Sequence, residues 1–246
     1  MKNTINKDLP KIILEGIVGS TAYGLDTINS DIDYAGIFVY PTPFLLHLNS
    51  YKETFTQQDL TPDTIESDFV YHEIKKFMQL ASKGNPSALE LLYLDNYTKL
   101  TQEGQLLVTL RYEFLNNHIK NAYGGYAYQQ AKKLEKRIEE GREGYNPKVK
   151  NRFSKHTRHC FRLLDQGTQL LTTGTLNVKV NDPDKYFKLG SLPYEKVIKI
   201  FKEEYAKYNE LESVLPETSN IDILNKILLI IRNLNWVIRV YILEST

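Results

Sequence analysis

Asp31 and Asp33 stand one residue apart at the head of a strand-like run, Ile32 to Tyr40 (IDYAGIFVY). Their side chains would leave the same face, about 6 to 7 Å apart along the strand. Two like charges at one spot are costly unless a cation offsets them, and hard divalent ions such as Mg²⁺ take oxygen ligands of this kind. An isolated D-x-D also suits a solvated strand start, so the pair gains meaning only from its neighbours. Gly19-Ser20 lies eleven residues before Asp31. Glycine there would let the backbone approach a ligand, and the Ser20 hydroxyl with nearby N–H groups would donate to phosphate oxygens.

Rival motifs fit less well. Gly19 to Gly24 has G-x-x-x-x-G spacing, but Leu25 and Asp26 stand where a P-loop needs Lys and Ser or Thr, and G-x-G-x-x-G is absent. Asp26 to Asp33 fails as a calcium loop because Ile28 and Asp31 fall where an oxygen ligand and a glycine are needed. Two-metal phosphoryl transfer asks for a third carboxylate from an adjacent strand. Asp68 is the leading candidate because it opens the short apolar run Phe69-Val70-Tyr71; Glu66, in a polar stretch, and Glu73, at the next helix start, are the alternatives.

A basic segment could meet the phosphates. Lys132 to Arg162 holds eleven Lys and Arg against four Glu, a net of +7 in a chain whose formal charge is only +1, so the remainder is acidic. Lys155, His159 and Arg162 are spaced i, i+4, i+7 and share one helix face. Arg162 suits forked phosphate contacts, Lys155 a point charge and His159 hydrogen bonding, while a basic solvated helix surface is the plainer reading. His156 points elsewhere on that helix. Tyr23, inside the glycine turn, is placed to line the site. Tyr123, Tyr126 and Tyr128 could stack on bases, although their spacing beside alanines favours packing.

The elements that must position these residues follow from periodicity. Lys11 to Val18 reads as a buried strand entering the Gly19-Ser20 turn, Ile32 to Tyr40 as a second strand stopped by Pro41 and Pro43, and Phe69 to Tyr71 as a third running into a helix, His72 to Ser82. Ser87 to Leu94 reads as a helix capped by Asn85 or Ser87. Helices then dominate: 102–119, 123–140, 151–173, 194–212 and 221–243, with loops at 140–147, 181–193 and 216–220. The expected fold class is α/β (α+β): a small mixed-sheet lobe over residues 1–100, then a helical lobe over 101–246, with the site in the cleft between them.

Composition narrows the class. The 246 residues can bury a sizeable core, and Cys160, the only cysteine, excludes an intramolecular disulfide or a four-cysteine zinc site and fits a reducing, cytoplasmic setting. Met1 to Pro10 lacks the apolar core of a signal peptide, and Asp222, Lys226, Arg232 and Arg239 interrupt the most apolar stretch, so no membrane association is expected.

Taken in order, Gly19-Ser20, Ala22-Tyr23-Gly24-Leu25, Ser30-Asp31-x-Asp33 and Asp68 resemble the DNA polymerase beta nucleotidyltransferase superfamily. More narrowly, they resemble the predicted nucleotidyltransferases associated with RNA-repair operons. Lys75-Lys76-Phe77, Asn85-Pro86 and Leu89-Glu90-Leu91-Leu92 are similar to that family's helix after the third carboxylate. Arg152-Phe153-Ser154-Lys155-His156, His159, Arg162-Leu163-Leu164 and Leu170-Leu171-x-x-Gly174 are similar to its C-terminal signature. The resemblance spans roughly Ile13 to Gly174 and leaves the last seventy or so residues without a motif.

It implies a magnesium-dependent transferase. Asp31 and Asp33 would hold two Mg²⁺ or Mn²⁺ ions and Asp68 the catalytic one. Gly19 and Ser20 would hold the β- and γ-phosphates of a nucleoside triphosphate such as ATP, with Tyr23, Ser30, Lys155, His159 and Arg162 completing the nucleotide site. The expected reaction moves a nucleoside monophosphate to an acceptor hydroxyl and releases pyrophosphate. An RNA 3′ end is the leading acceptor; a protein or small-molecule acceptor and a noncatalytic nucleotide-binding module are the alternatives.

Overall fold

A computed structural model describes residues 10–28, 30–46, 48, 50–56, 68–141 and 147–244; within the helices, residues 136–141, 147–150 and 237–244 are described by their backbone alone. Strand β1 (Lys11–Val18) is the β-branched run read above, and β2 (Asp33–Val39) pairs with it antiparallel, Val18 opposite Asp33. Strand β4 (Phe69–Glu73) lies parallel to β2, Tyr34 opposite Phe69. Two shorter strands, β3 (Thr54–Thr56) and β5 (Lys99–Leu100), add to the edges antiparallel, giving the mixed order β3-β4-β2-β1-β5. Two or three residues are too few to show alternation, which is why β3 and β5 have no sequence signal.

Ile37, Phe38, Val39 and Tyr40 are buried in succession, so both faces of the end of β2 are covered. On one side Ile37 and Val39 join the main core; on the other, Phe38 and Tyr40 meet the rings of Phe55 and Phe44. The polypeptide turns through α1 (Gly19–Tyr23) between β1 and β2 and through α2 (Thr42–Leu45) after β2. Helix α3 (Ile74–Ser82) buries Ile74, Phe77, Met78 and Ala81, the set its spacing predicts. Asn85 caps α4 (Pro86–Leu92), its Oδ1 accepting the Ala88 N–H at 3.1 Å.

The run read as one helix over 102–119 is broken. Helix α5 (Gln102–Thr109) gives way to a 3-10 turn, Arg111–Phe114, and α6 (His118–Gly141) starts afresh. Asn116 causes the break: buried, its amide donates to the Ser82 and Phe114 carbonyls while its Oδ1 accepts the His118 N–H at 2.8 Å, which starts the next helix. Helix α7 (Pro147–Thr173) packs beside α6, with the Cys160 thiol on the Ala127 carbonyl at 3.4 Å.

A second correction concerns 181–193, read as a loop. It contains α8 (Pro183–Ser191), whose N-cap Asp182 accepts the Lys185 N–H and whose first residue is Pro183. Asp-Pro is a helix-start signature as well as a turn signature. Helices α9 (Tyr194–Glu210) and α10 (Ile221–Glu244) follow, near their expected bounds. All strands among the described residues lie before residue 101, and buried side chains from both sides of that point join one core, from Ile13 to Ile231. Among the described residues no helix is long and apolar enough to cross a membrane.

Candidate active site

Because β2 runs antiparallel to β1 and parallel to β4, the end of β1 and the beginnings of β2 and β4 meet at one end of the sheet. Val18 opposes Asp33, and the Tyr34 N–H donates to the Asp68 carbonyl at 2.8 Å. Gly19, Asp33 and Asp68 are therefore neighbours although up to 49 positions separate them, and Asp31 lies just ahead of them in the chain. The turn before Asp31 is pinned by Ser30, whose N–H donates to the Thr27 carbonyl and whose Oγ accepts the Thr27 N–H, both at 2.9 Å.

Gly19 has φ of +70°, a region costly for any other residue, and a Cβ there would sit 2.3 Å from Asp33 Oδ2. The close approach anticipated at this glycine is thus made by the protein's own carboxylate. Half-buried, Asp33 is pushed above the usual carboxylate range: loss of water is the main cause, Asp68 and Asp31 add repulsion, and Lys155 opposes them.

Gly19, Ser20, Tyr23, Ser30, Asp31, Asp33, Asp68, Lys155, His159 and Arg162 all border one cavity of about 720 Å³, within the range of small-molecule sites. One wall is the sheet end. The other comes from α6 and α7, which add Gln130, Lys133, Arg152, His156 and Arg158. The segregated charge seen in sequence is thereby resolved into an acidic wall facing a basic one. Lys136, Arg137, Lys148 and Lys150 belong to the same basic segment, but their side chains, like Arg142, lie outside the described residues.

Arg162 does a different job from the forked phosphate contact that its type suggests. It is 1% exposed, its Nη1 reaches Glu90 Oε1 at 2.5 Å and also Gln166 Oε1, and its Nη2 reaches His159 Nδ1 at 3.0 Å. Its guanidinium carbon lies 3.6 Å from the centre of the Tyr23 ring, and the Tyr23 hydroxyl donates to Glu90 Oε2 at 2.6 Å. Burial works against the Arg162 charge, but Glu90 and Tyr23 outweigh it and hold its pKa above the ordinary value. Burial drives the Tyr23 phenol well up, with Arg162 partly opposing. Tyr23 and Arg162 border the cavity chiefly as its floor. Glu90 appears in the sequence only as one polar letter in an apolar helix, and its buried position is the signal that it has a charged partner.

The alternatives for the third carboxylate separate. Glu73, 1% exposed, sits at the far end of β4 from Asp68, accepts the Lys75 N–H and pairs with Arg232 at 2.6 Å. Glu66 lies outside the described residues. Tyr123 is fully buried, as packing predicts; Tyr126 and Tyr128 are exposed, with Tyr126 accepting from Asn85 and Tyr128 beside Tyr205 and Lys132.

Three carboxylates at one end of the sheet are hard oxygen donors of the type a divalent cation takes, and Asp33, raised mainly by loss of water with Asp68 and Asp31 adding repulsion, is the one a cation would relieve. Among the described residues, however, no three His, Cys, Asp or Glu side chains converge closely enough to form a ligand group. The donor set fits such an ion in chemical type, with its side chains set wider apart than a closed ligand group.

Comparison with known proteins supplies the context. Residues 1–185 match the RNA repair pathway DNA polymerase beta family. An uncharacterized 38.9 kDa protein of the nrdC-mobD intergenic region of Enterobacteria phage T4 is 30% identical over 130 residues, which cover 50% of this chain and 38% of the phage protein, so the match spans well under half of that relative. A nucleotidyltransferase-like protein from Exiguobacterium sibiricum shares 14% identity over 81% of this chain and 69% of its own, with a TM-score of 0.27, too loose a superposition to add weight. With a match across three quarters of its length, the chain belongs to the RNA repair pathway DNA polymerase beta family.

Proposed function

We propose that the cavity binds a nucleoside triphosphate, such as ATP, and transfers its nucleoside monophosphate to the 3′-hydroxyl of an RNA end. The observation that carries this reading is the placement of Asp31, Asp33 and Asp68 at one end of the sheet, across a single cavity from Lys133, Arg152, Lys155 and Arg158. Asp31 and Asp33 would hold two divalent ions, Mg²⁺ or Mn²⁺, with Asp68 on the catalytic one. Such ions supply charge neutralisation to the phosphates and favour ionisation of the attacking hydroxyl.

The chain's own groups do the rest. The basic wall draws the triphosphate in and orients its tail, and the Ser20 hydroxyl with the backbone at Gly19 donates to the β- and γ-phosphates. The acceptor oxygen forms a bond to the α-phosphorus while the α–β bridging bond breaks. The hydroxyl proton passes to Asp68 at the exposed edge, and pyrophosphate leaves toward Lys155 and Arg158, whose charges offset its own. A protein or small-molecule acceptor is the second reading, favoured by the net charge of only +1, which is modest for a nucleic-acid binder.

The test incubates the full chain with Mg²⁺ or Mn²⁺, each α-labelled triphosphate in turn, and RNA, DNA and protein acceptors. Label should move to RNA with release of pyrophosphate, and Asp31→Ala and Asp33→Ala should abolish transfer while remaining folded. Equal transfer by the substituted proteins would overturn the mechanism; transfer to protein alone, or RNA binding indifferent to salt, would overturn the acceptor.

A further inference from the structure

The interior behind the basic wall holds more polar chemistry than packing needs. Arg162 is the largest of the side chains that are less than 2% exposed, and it touches residues from three separate parts of the chain. Through Glu90 it reaches α4, through Tyr23 it reaches the turn that follows Gly19 and Ser20, and through Gln166 it reaches the segment after α7. Gln166 in turn donates to the Val178 carbonyl at 3.0 Å, and the Val180 N–H donates to the Tyr23 carbonyl at 3.1 Å, which closes a ring around the turn.

The contact with His159 has a chemical consequence. A guanidinium carries N–H donors and no acceptor, so at the 3.0 Å contact Arg162 Nη2 donates and His159 Nδ1 accepts. An imidazole whose Nδ1 accepts is neutral and carries its proton on Nε2. His159 borders the cavity, and its hydrogen bond among the described residues is the one to Arg162, so Nε2–H is left for whatever occupies the cleft.

We propose that Arg162 is a positioning residue that fixes His159 as the neutral Nε2–H tautomer, making His159 a hydrogen-bond donor to an acceptor atom of the bound nucleoside triphosphate. The tautomer follows from the Arg162 contact and the ligand contact from the place of His159 on the cavity wall, and the second rests on the nucleotidyltransferase reading above. The groups around the ring agree with the assignment. Burial, then Arg162, His156, Lys133 and Lys155, all hold the His159 pKa well below its ordinary value, while Glu90 and Tyr23 face Arg162. A cationic imidazole would add charge to an already cationic wall; a neutral one supplies a directional bond that lysines do not.

The direct measurement needs no variant. In full-length protein labelled with ¹⁵N-histidine, long-range nitrogen–proton correlation spectra should show His159 with a pyrrole-like Nε2 and a pyridine-like Nδ1, unchanged from pH 8 down to pH 6. A ring protonated on Nδ1, or one that becomes cationic within that range, overturns the proposal. Arg162→Lys should leave a folded protein in which His159 shows mixed tautomers or begins to titrate; an unchanged His159 signature would show that Arg162 does not set it.

The ligand half is read by equilibrium binding of ATP, GTP, CTP and UTP. His159→Gln, which keeps an N–H donor near the Nε2 position, should bind within about threefold of the native chain, whereas His159→Phe should bind about tenfold more weakly. Equal loss in both variants assigns the ring to packing and overturns the donor role. Because the spectrum is recorded without nucleotide or acceptor, its failure is distinct from failure of the transfer reaction, which the Asp31 and Asp33 variants report.

Discussion

On the strand wall of the cleft Asp31 and Asp68 are exposed and Asp33 is half-buried, whereas beneath the helix wall Arg162 and Glu90 are 1% and 3% exposed and bonded to each other. The first group holds like charges that Lys155 offsets only in part. The second holds opposite charges already paired with each other before any ligand arrives. Like charges at an accessible sheet end contribute little to folding, while a buried pair in contact with three segments holds the wall in place. Substitutions on the two sides should therefore fail in opposite ways.

The largest effect is expected on the strand wall. Asp31→Ala and Asp33→Ala should each lower nucleotidyl transfer on the order of a thousandfold, with melting temperatures close to the native one, since neither carboxylate is held by a buried counter-charge as Glu90 is. Transfer rates and thermal melts on the same preparations check this. A large fall in melting temperature would erase the contrast between the walls.

On the helix wall the order reverses. Glu90→Ala leaves the Arg162 charge buried and unpaired, which should cost about 3 to 5 kcal/mol and lower the melting temperature by about 10 °C. Adding Arg162→Met to Glu90→Ala should recover part of that loss, because both charges are then gone and the apolar stem remains. A double variant no more stable than Glu90→Ala would mean that the pair matters through its shape and not its charge.

The walls also differ in how much of them the sequence reveals. Asp31, Asp33, Gly19 and Ser20 lie within fifteen residues of one another, and the strand–turn–strand reading that places them needs only local alternation. Asp68 is legible because it opens the next apolar run. The Arg162–Glu90 pair spans 72 positions; Glu90 stands out as one charge within Leu89-Glu90-Leu91-Leu92, but nothing local names Arg162 as its partner. What sets them apart is burial, a tertiary property. Arg162 is legible as a member of a polar helix face; which way its guanidinium turns depends on Glu90 and Tyr23 arriving from elsewhere. Helix α8 is hidden for another reason: Asp182-Pro183 signals a turn as well as it signals a helix start, and packing against α7 decides between them.

Gly19 joins the two kinds of failure at one residue, which makes it a sharper probe than either wall alone. Gly19→Ala forces a side chain into φ of +70° and against Asp33 Oδ2. The backbone part should cost about 1 to 2 kcal/mol. Gly24→Ala meets nearly the same backbone penalty at φ of +67°, but its Cβ would touch only the flexible stem of Lys179 at 3.3 Å. Both variants should lose similar stability, while Gly19→Ala should lose transfer more severely because Asp33 must move. Equal transfer in the two would show that the Asp33 position tolerates displacement.

The smallest effect tests whether the strand wall is electrostatically frustrated at all. Burial, together with Asp68 and Asp31, raises the Asp33 carboxyl pKa above its ordinary value, with Lys155 opposing. A carboxyl with a higher pKa in the folded chain binds more protons there than in the unfolded chain, so its contribution favours folding below the ordinary aspartate range and is lost as pH rises through the folded value. Asp33→Asn removes that loss. It should melt slightly above the native protein at neutral pH, and the gain should vanish as the pH falls below the ordinary aspartate value of 3.8. Lys155→Met, which removes the opposing charge, should widen the neutral-pH gap between chains that keep Asp33 and those carrying Asp33→Asn. Millimolar Mg²⁺ should close it by raising the native melting temperature alone, because a cation relieves repulsion only where the carboxylate remains. Parallel melting curves across pH, with and without Mg²⁺, would mean that water already screens the three carboxylates, and the contrast between a repelling wall and a paired one would lose its physical basis.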